Sequence, residues 1–183
     1  MKISETEIRD KPQSLSDGRK VLNIGSGGDW YGTDRLDFKK SGAVTKVYDF
    51  KDKIPYPDNT FDEIRFWRTL EHLENLGFII DECYRVLKKG GVIDVITDHA
   101  GYFIFYFKSE HNSYLNVEPY HKHPDDFHRY LFVPSHLKAL FMKFKNIDES
   151  YLHRRNKKGL KRLFLNLVPF HMGYEELRLI AYK

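Results

Sequence analysis

Lys20-Val21-Leu22-Asn23-Ile24-Gly25-Ser26-Gly27-Gly28 decides the fold. Lys20 to Ile24 is a short, mostly apolar run, and Gly25 ends it, which reads as a strand followed by a turn. Glycines in that turn let the backbone reverse tightly and come close to a ligand. In an open α/β sheet such a turn lies outside the carboxyl ends of the strands, where ligands bind. The turn is not a dinucleotide fingerprint, because counting GxGxxG from Gly25 puts Trp30 at the last glycine. No lysine completes GxxxxGK[ST] either. Nicotinamide and nucleoside-triphosphate chemistry are both disfavoured.

Downstream, strands are predicted at Trp30 to Thr33, Ala43 to Tyr48 and Glu63 to Trp67. Phe78 to Leu87 reads as a helix, since Ile79, Cys83, Val86 and Leu87 recur at helical spacing and Gly90-Gly91 stops it. Gly91 to Thr97 reads as a buried strand. Pro134-Ser135 opens a helix carrying Leu137, Leu140 and Phe141, and late strands fall near Asn146 to Leu152 and Glu176 to Tyr182. Strand, helix and buried strand in that order argue an α/β fold with a mainly parallel sheet. Asp34 follows the second strand and Asp49 the third. A carboxylate at a strand end accepts two hydrogen bonds from a ribose diol, or one from an adenine amino group. Asp37 competes with Asp34 for the ribose role.

The chain has 183 residues, 41% of them hydrophobic, 31% charged and 15% aromatic, a globular composition rather than a disordered or fibrous one. Residues 1–19 read as an N-terminal arm and 20–183 as one domain, with 98–133 as a substrate-side insertion. The single cysteine, Cys83, excludes an internal disulfide and fits a reducing compartment. No apolar stretch is long enough to span a bilayer, and the charged N-terminus has no signal-peptide core, so a cytoplasmic protein is expected. A net charge of +4 permits an anionic partner without demanding nucleic acid.

More specific segments occur in a fixed order. Val21 to Gly27 is followed by Ile54-Pro55-Tyr56-Pro57-Asp58-Asn59-Thr60-Phe61-Asp62-Glu63-Ile64. Then come Thr69-Leu70-Glu71-His72-Leu73 and Arg85-Val86-Leu87-Lys88-Lys89-Gly90-Gly91. His128-Arg129-Tyr130-Leu131-Phe132 follows, with Ser135 and Leu137 behind it. In this order the segments resemble those of the class I S-adenosylmethionine-dependent methyltransferases, over about residues 20 to 97. The resemblance implies a Rossmann-like fold with S-adenosyl-L-methionine as cofactor. Gly25, Ser26 and Gly27 would pass beside its methionine part, with Asn23 in a place often held by an acid. Asp34 would hold the ribose hydroxyls, and Asp49 the adenine amino group with Phe50 packed nearby. Trp67 and Thr69 would lie beside the sulfonium and carboxylate. The strand ending at Ile24 is expected at the centre of the sheet. One departure stands out: neither Gly27 to Asp34 nor Asp37 to Ala43 has room for a crossover helix, which with its connections takes about a dozen residues. The early crossovers are therefore predicted to be shortened. The exposed face must then be covered by the arm, by residues 100–120 or by a second copy, and a homodimer is expected.

Methyl transfer from a sulfonium is an in-line displacement that needs a base mainly for a hydroxyl or protonated amine. His72 and His128 are the catalytic candidates, since imidazole titrates near neutral pH. Glu71 and His72 also read as a brace for the following helix. His121-Lys122-His123 is not a zinc spacing and HExxH is absent, so no metal site is predicted. Arg154 to Arg162 is strongly basic but reads better as a solvated helix face than as a nucleic-acid surface. The expected activity is methyl transfer to a small or saccharide-like acceptor. An RNA methyltransferase and a noncatalytic binding protein on the same scaffold are the alternatives.

Overall fold

The computed structural model describes residues 18–102, 128–154 and 174–183. A seven-stranded sheet runs in the order β3-β2-β1-β4-β5-β7-β6. Its strands are β1 (Val21–Ile24), β2 (Asp34–Asp37), β3 (Lys46–Val47), β4 (Phe61–Trp67), β5 (Leu87–Asp98), β6 (Lys145–Arg154) and β7 (Tyr174–Tyr182). β1 to β5 pair in parallel, and β7 is antiparallel to both of its neighbours. β1 is central, between β2 and β4. The N-terminal arm through residue 17, residues 103–127 of the expected insertion and the basic run from residue 155 lie outside the described residues.

Two α-helices pack on one face of the sheet, α1 (Leu76–Val86) and α2 (Pro134–Leu140). α1 begins where the Asn75 side chain accepts the Phe78 N–H at 3.2 Å, and it buries Leu76, Ile79, Ile80, Cys83 and Val86 along one stripe. That stripe meets Leu22, Ile24, Ile64, Phe66, Ile93 and Val95 from the sheet, and Leu137, Phe141 and Phe144 complete the core. The helix passes directly into β5, and Gly90-Gly91 lies within that strand rather than at the helix end. Gly90 has φ +77°, and the register shifts opposite Phe61–Glu63, which marks a bulge.

Among the described residues, the opposite face carries charge and no helix. Residues 25–33 and 38–45 contain no helix, as the short spacings predict. Asn23, Arg65 and Asp94 are register partners across β1, β4 and β5. The Arg65 guanidinium lies between the rings of Tyr31 and Trp67, at 3.6 and 3.2 Å from their centroids, and pairs with Asp29 at 3.3 Å. Arg178 pairs with Asp94 through two bonds of 2.8 and 2.9 Å, and Tyr31 donates its hydroxyl to Glu63 at 2.7 Å. A face built of paired charges and aromatic lids avoids the cost of an open apolar sheet. The second strand is not Trp30–Thr33 but the four residues after it. Trp30 and Tyr31 pack on Arg35 and Arg65, and the parallel ladder starts only after the Thr33 N–H has bonded Val21 O at 3.0 Å.

Arg85 ties α1 to the loop before β4. It donates to both carboxylate oxygens of Glu82 at 2.8 and 2.7 Å, to Asp58 at 2.8 Å, and to the carbonyls of Tyr56 and Ile54 at 2.9 Å. Glu82 also accepts the Ile54 N–H at 2.9 Å. The bonds from Arg85 hold the Glu82 carboxyl below its ordinary range. Arg85→Ala strands a buried carboxylate, and urea denaturation is expected to show a loss of about 3 kcal/mol. Because the folded pKa of Glu82 is depressed, its contribution is complete above the ordinary glutamate range. It is lost as pH falls through the depressed value. The gap between wild type and variant should therefore close in acid, and a gap undiminished at about pH 2 would contradict this account.

Candidate functional site

A cavity of about 700 Å³ opens at the carboxyl edge of the parallel strands. Four strand ends line it: Gly25 after β1, Asp37 at the end of β2, Tyr48 and Asp49 after β3, and Thr69 after β4. Gly25 has φ +70° and donates its N–H to Leu36 O at 2.8 Å, so the glycine turn is pinned across to β2. Asp37 is 6% exposed; its Oδ2 accepts the Gly27 N–H at 2.8 Å and its Oδ1 the Lys39 N–H at 2.8 Å. Thr69 lies over Gly25, with its Oγ1 3.4 Å from Gly25 O and 3.2 Å from Trp67 O. Phe38, Val47 and Phe50 add apolar surface beside Asp49. Arg68 holds φ +52°, an uncommon conformation for a non-glycine residue, at the turn that carries the chain from β4 into the cavity.

The structure separates the residues singled out from sequence. Gly25, Asp49, Phe50, Thr69 and His72 line the cavity, and Gly27 reaches it through its bond to Asp37. Asp34 does not. It is the first residue of β2, paired with Leu22, so it stands toward the amino edge, where it accepts from Thr33 Oγ1 at 2.9 Å and from the Tyr56 hydroxyl. The four-residue shift of the strand moves Asp37 into the strand-end position. Asn23 is also turned away, donating its amide to Asp29 at 3.3 Å and to Tyr31 O at 3.2 Å on the polar face. Trp67 lies on the same face, with its Nε1 3.3 Å from Asp94. Ser26 is buried in the turn and does not line the cavity. Arg129 lines the cavity from the His128–Phe132 segment singled out in the sequence, and Arg68 lines it between Trp67 and Thr69.

Beyond Thr69, a 3₁₀ turn (Leu70–His72) leads along the cavity wall. Glu71 O accepts the N–H groups of Arg129 and Tyr130 at 2.8 and 3.2 Å, which clips residues 128–130 against this turn. The rings of His72 and His128 therefore meet edge to face with centroids 4.5 Å apart. His128 Nδ1 is 2.8 Å from Asp98 Oδ2 at the end of β5. Glu71 is wholly buried; its Oε2 accepts the Thr97 hydroxyl at 2.9 Å, while its Oε1 has no hydrogen-bond partner. Burial, reinforced by the charge of Asp98, pushes the Glu71 carboxyl up to about 7.

A family model described as a methyltransferase domain matches residues 33–95. Similar solved structures include an S-adenosylmethionine-dependent methyltransferase from Archaeoglobus fulgidus. It is 16% identical with TM-score 0.62, covering 90% of this chain and 86% of that one. The chain thus resembles a methyltransferase domain in sequence over residues 33–95 and has the fold of the S-adenosylmethionine-dependent methyltransferases. The fold also matches Haemonchus contortus phosphoethanolamine N-methyltransferase 2. That structure is 15% identical with TM-score 0.61, and the match covers 97% of this chain and 51% of that one. A curated relative, phosphoethanolamine N-methyltransferase 3 of Arabidopsis thaliana, is 30% identical over 109 residues. That match covers 47% of this chain and only 22% of the relative's length. Among the described residues, no helix is long and apolar enough to cross a membrane.

Proposed function

We propose that this protein is an S-adenosylmethionine-dependent methyltransferase that moves the methyl group to a small-molecule acceptor entering beside His72. One observation carries the reading: Gly25, Asp37, Asp49 and Thr69, from four strand ends, line one cavity that continues to His72 and Arg129. Asp37 takes the ribose diol, since each carboxylate oxygen keeps a lone pair beyond its bond to a backbone N–H. Asp49 meets the adenine amino group, with Phe50 against the ring. Gly25 and Thr69 border the methionine end. His72 and His128 stand on the acceptor side, where imidazoles serve to take the proton that a hydroxyl or ammonium acceptor must lose. Lys51, Arg68 and Arg129 line the mouth, Lys51 and Arg129 paired with Glu74 and Arg68 with Glu176. The phosphoethanolamine N-methyltransferase relatives support a small acceptor over RNA.

The test combines calorimetric titration of the folded chain with S-adenosylhomocysteine and a methyl-transfer panel. The panel holds phosphoethanolamine, small sugars bearing free hydroxyls, and a short RNA. Micromolar cofactor binding with turnover of a small acceptor is the expected result. A folded chain that binds neither S-adenosylmethionine nor S-adenosylhomocysteine would refute the reading, and turnover of RNA alone would replace the acceptor class.

A further inference from the structure

We infer that Glu71, His72 and His128 form a binding site for one divalent transition-metal ion, beside the cavity, which presents an open coordination position to an acceptor oxygen. The inference rests on the reading that the acceptor enters at His72. Each of the three residues offers one ligand atom, and these atoms all lie within 4.8 Å of one another. For metal–ligand bonds near 2.1 Å, donors sharing a tetrahedral shell stand about 3.4 Å apart. Closing around an ion therefore asks for a contraction of at most about 1.4 Å, within reach of side-chain rotations. Two imidazoles and a carboxylate are a donor set that suits zinc, manganese, cobalt or iron, and three protein ligands leave a position free for a further oxygen.

Three features of the surroundings point the same way. The first is Glu71, whose side chain is wholly buried with Oε1 lacking any hydrogen-bond partner. A buried polar atom without a partner calls for an occupant, and a buried carboxylate calls for a positive one. The second is Asp98, 2.8 Å from His128 Nδ1. A carboxylate beside the ring is the usual outer partnership of a ligating histidine. Thr97 supports Glu71 in the same sense, by donating its hydroxyl to Oε2 and leaving Oε1 free. The third is the backbone clip from Arg129 and Tyr130 to Glu71 O, which sets the segment bearing His128 against the turn bearing Glu71 and His72. This holds together residues that are 56 positions apart without relying on the ion.

The bound ion gives the site a way to use a weakly acidic acceptor. An acceptor hydroxyl in the open position has its pKa lowered and releases its proton to water. Its oxygen then attacks the methyl carbon; the new C–O bond forms as the C–S bond breaks, leaving a methyl ether and S-adenosylhomocysteine. In that state the two histidines are ligands and the ion replaces them in activating the acceptor. The acceptor class is accordingly a small molecule that offers a hydroxyl oxygen.

The experiment strips the full chain of metal with a chelator and dialyses it against Zn²⁺, Mn²⁺ or Co²⁺, with elemental analysis as the readout. One equivalent of Zn²⁺ or Co²⁺ per chain is expected, with visible absorption from bound Co²⁺ showing low coordination with nitrogen ligands. Glu71→Gln and His128→Ala should each weaken uptake about a hundredfold. Asp98→Asn should weaken it about tenfold, as the loss of an outer partner does. S-Adenosylhomocysteine titration on the same variants should stay within about twofold of wild type, which shows that the fold is intact. Absence of metal uptake by a folded chain overturns the site and leaves the histidines as bases. Uptake unaffected by Glu71→Gln and His128→Ala overturns it too, because the ion is then bound elsewhere. Failure of the wild type to bind S-adenosylhomocysteine strikes the methyltransferase reading instead, and the metal count is scored separately.

Discussion

Asp37→Ala is expected to weaken S-adenosylhomocysteine binding by about a hundredfold or more, while Asp34→Ala stays within about twofold of wild type. Hydrogen bonds to a charged group contribute roughly 1.5–3 kcal/mol each, and tenfold in affinity is about 1.4 kcal/mol, so losing the ribose diol alone accounts for the hundredfold. A second loss adds to it. Asp37 holds the Gly27 and Lys39 N–H groups at 2.8 Å, so removing the carboxylate also frees the glycine turn at the cavity edge. Asp37→Asn separates the two effects. Its one amide oxygen satisfies only one of those N–H groups and turns its NH₂ toward the other, so an intermediate loss of about tenfold to thirtyfold is expected. Asp34 makes its bonds with Thr33 and Tyr56 away from the cavity, which is why its removal serves as the control. Calorimetry decides: wild-type affinity in folded Asp37→Ala, or a large loss in Asp34→Ala, returns the ribose role to the earlier acid.

The contrast between these two acids shows what the sequence could reveal. The glycine turn, the strand before it and the α1–β5 unit were legible because each is written in consecutive residues with strong periodicity. The shortened crossovers were legible by counting alone. The start of β2 was not, because it is set by a pairing with β1: Thr33 bonds Val21 O before the ladder begins at Asp34. A shift of one strand length places Asp37 rather than Asp34 at the cavity. Asn23 and Trp67 lie outside the cavity lining for a related reason. They sit on β1 and β4 near the motifs, but alternation along a strand sends neighbouring side chains to opposite faces, and theirs join the Arg65 and Asp94 network. That network has no local signature, since Tyr31, Arg65, Asp94 and Arg178 come from four separate segments. The expectation of no metal site rested on sequence spacing, whereas Glu71, His72 and His128 are assembled by backbone bonds from residues 129 and 130.

Gly25→Ala is expected to reduce cofactor binding by more than a hundredfold and to lower the melting temperature. Gly25 has φ +70°, which costs a residue with a Cβ about 1–2 kcal/mol. The larger penalty is steric. A Cβ at this position would lie 2.2 Å from both Thr69 Cγ2 and Thr69 Oγ1, and 2.7 Å from Thr69 Cβ. No rotation of Thr69 removes the contact with its own Cβ, and the residue is 6% exposed. The glycine turn and the Thr69 turn must therefore separate, which opens the cavity where the two strand ends meet. Two further variants make the cause measurable. In Gly25→Ala with Thr69→Gly, all three clashing atoms are gone and only the backbone strain stays, so binding should recover to within about thirtyfold of wild type. Gly28→Ala is the matched control: a Cβ there meets nothing within 4 Å, and affinity should stay within about twofold. If Gly25→Ala bound S-adenosylhomocysteine as well as Gly28→Ala does, the close approach of these two turns would have no part in holding the cofactor. If the double variant recovered nothing, the backbone conformation at Gly25 rather than the Thr69 contact would be the controlling feature.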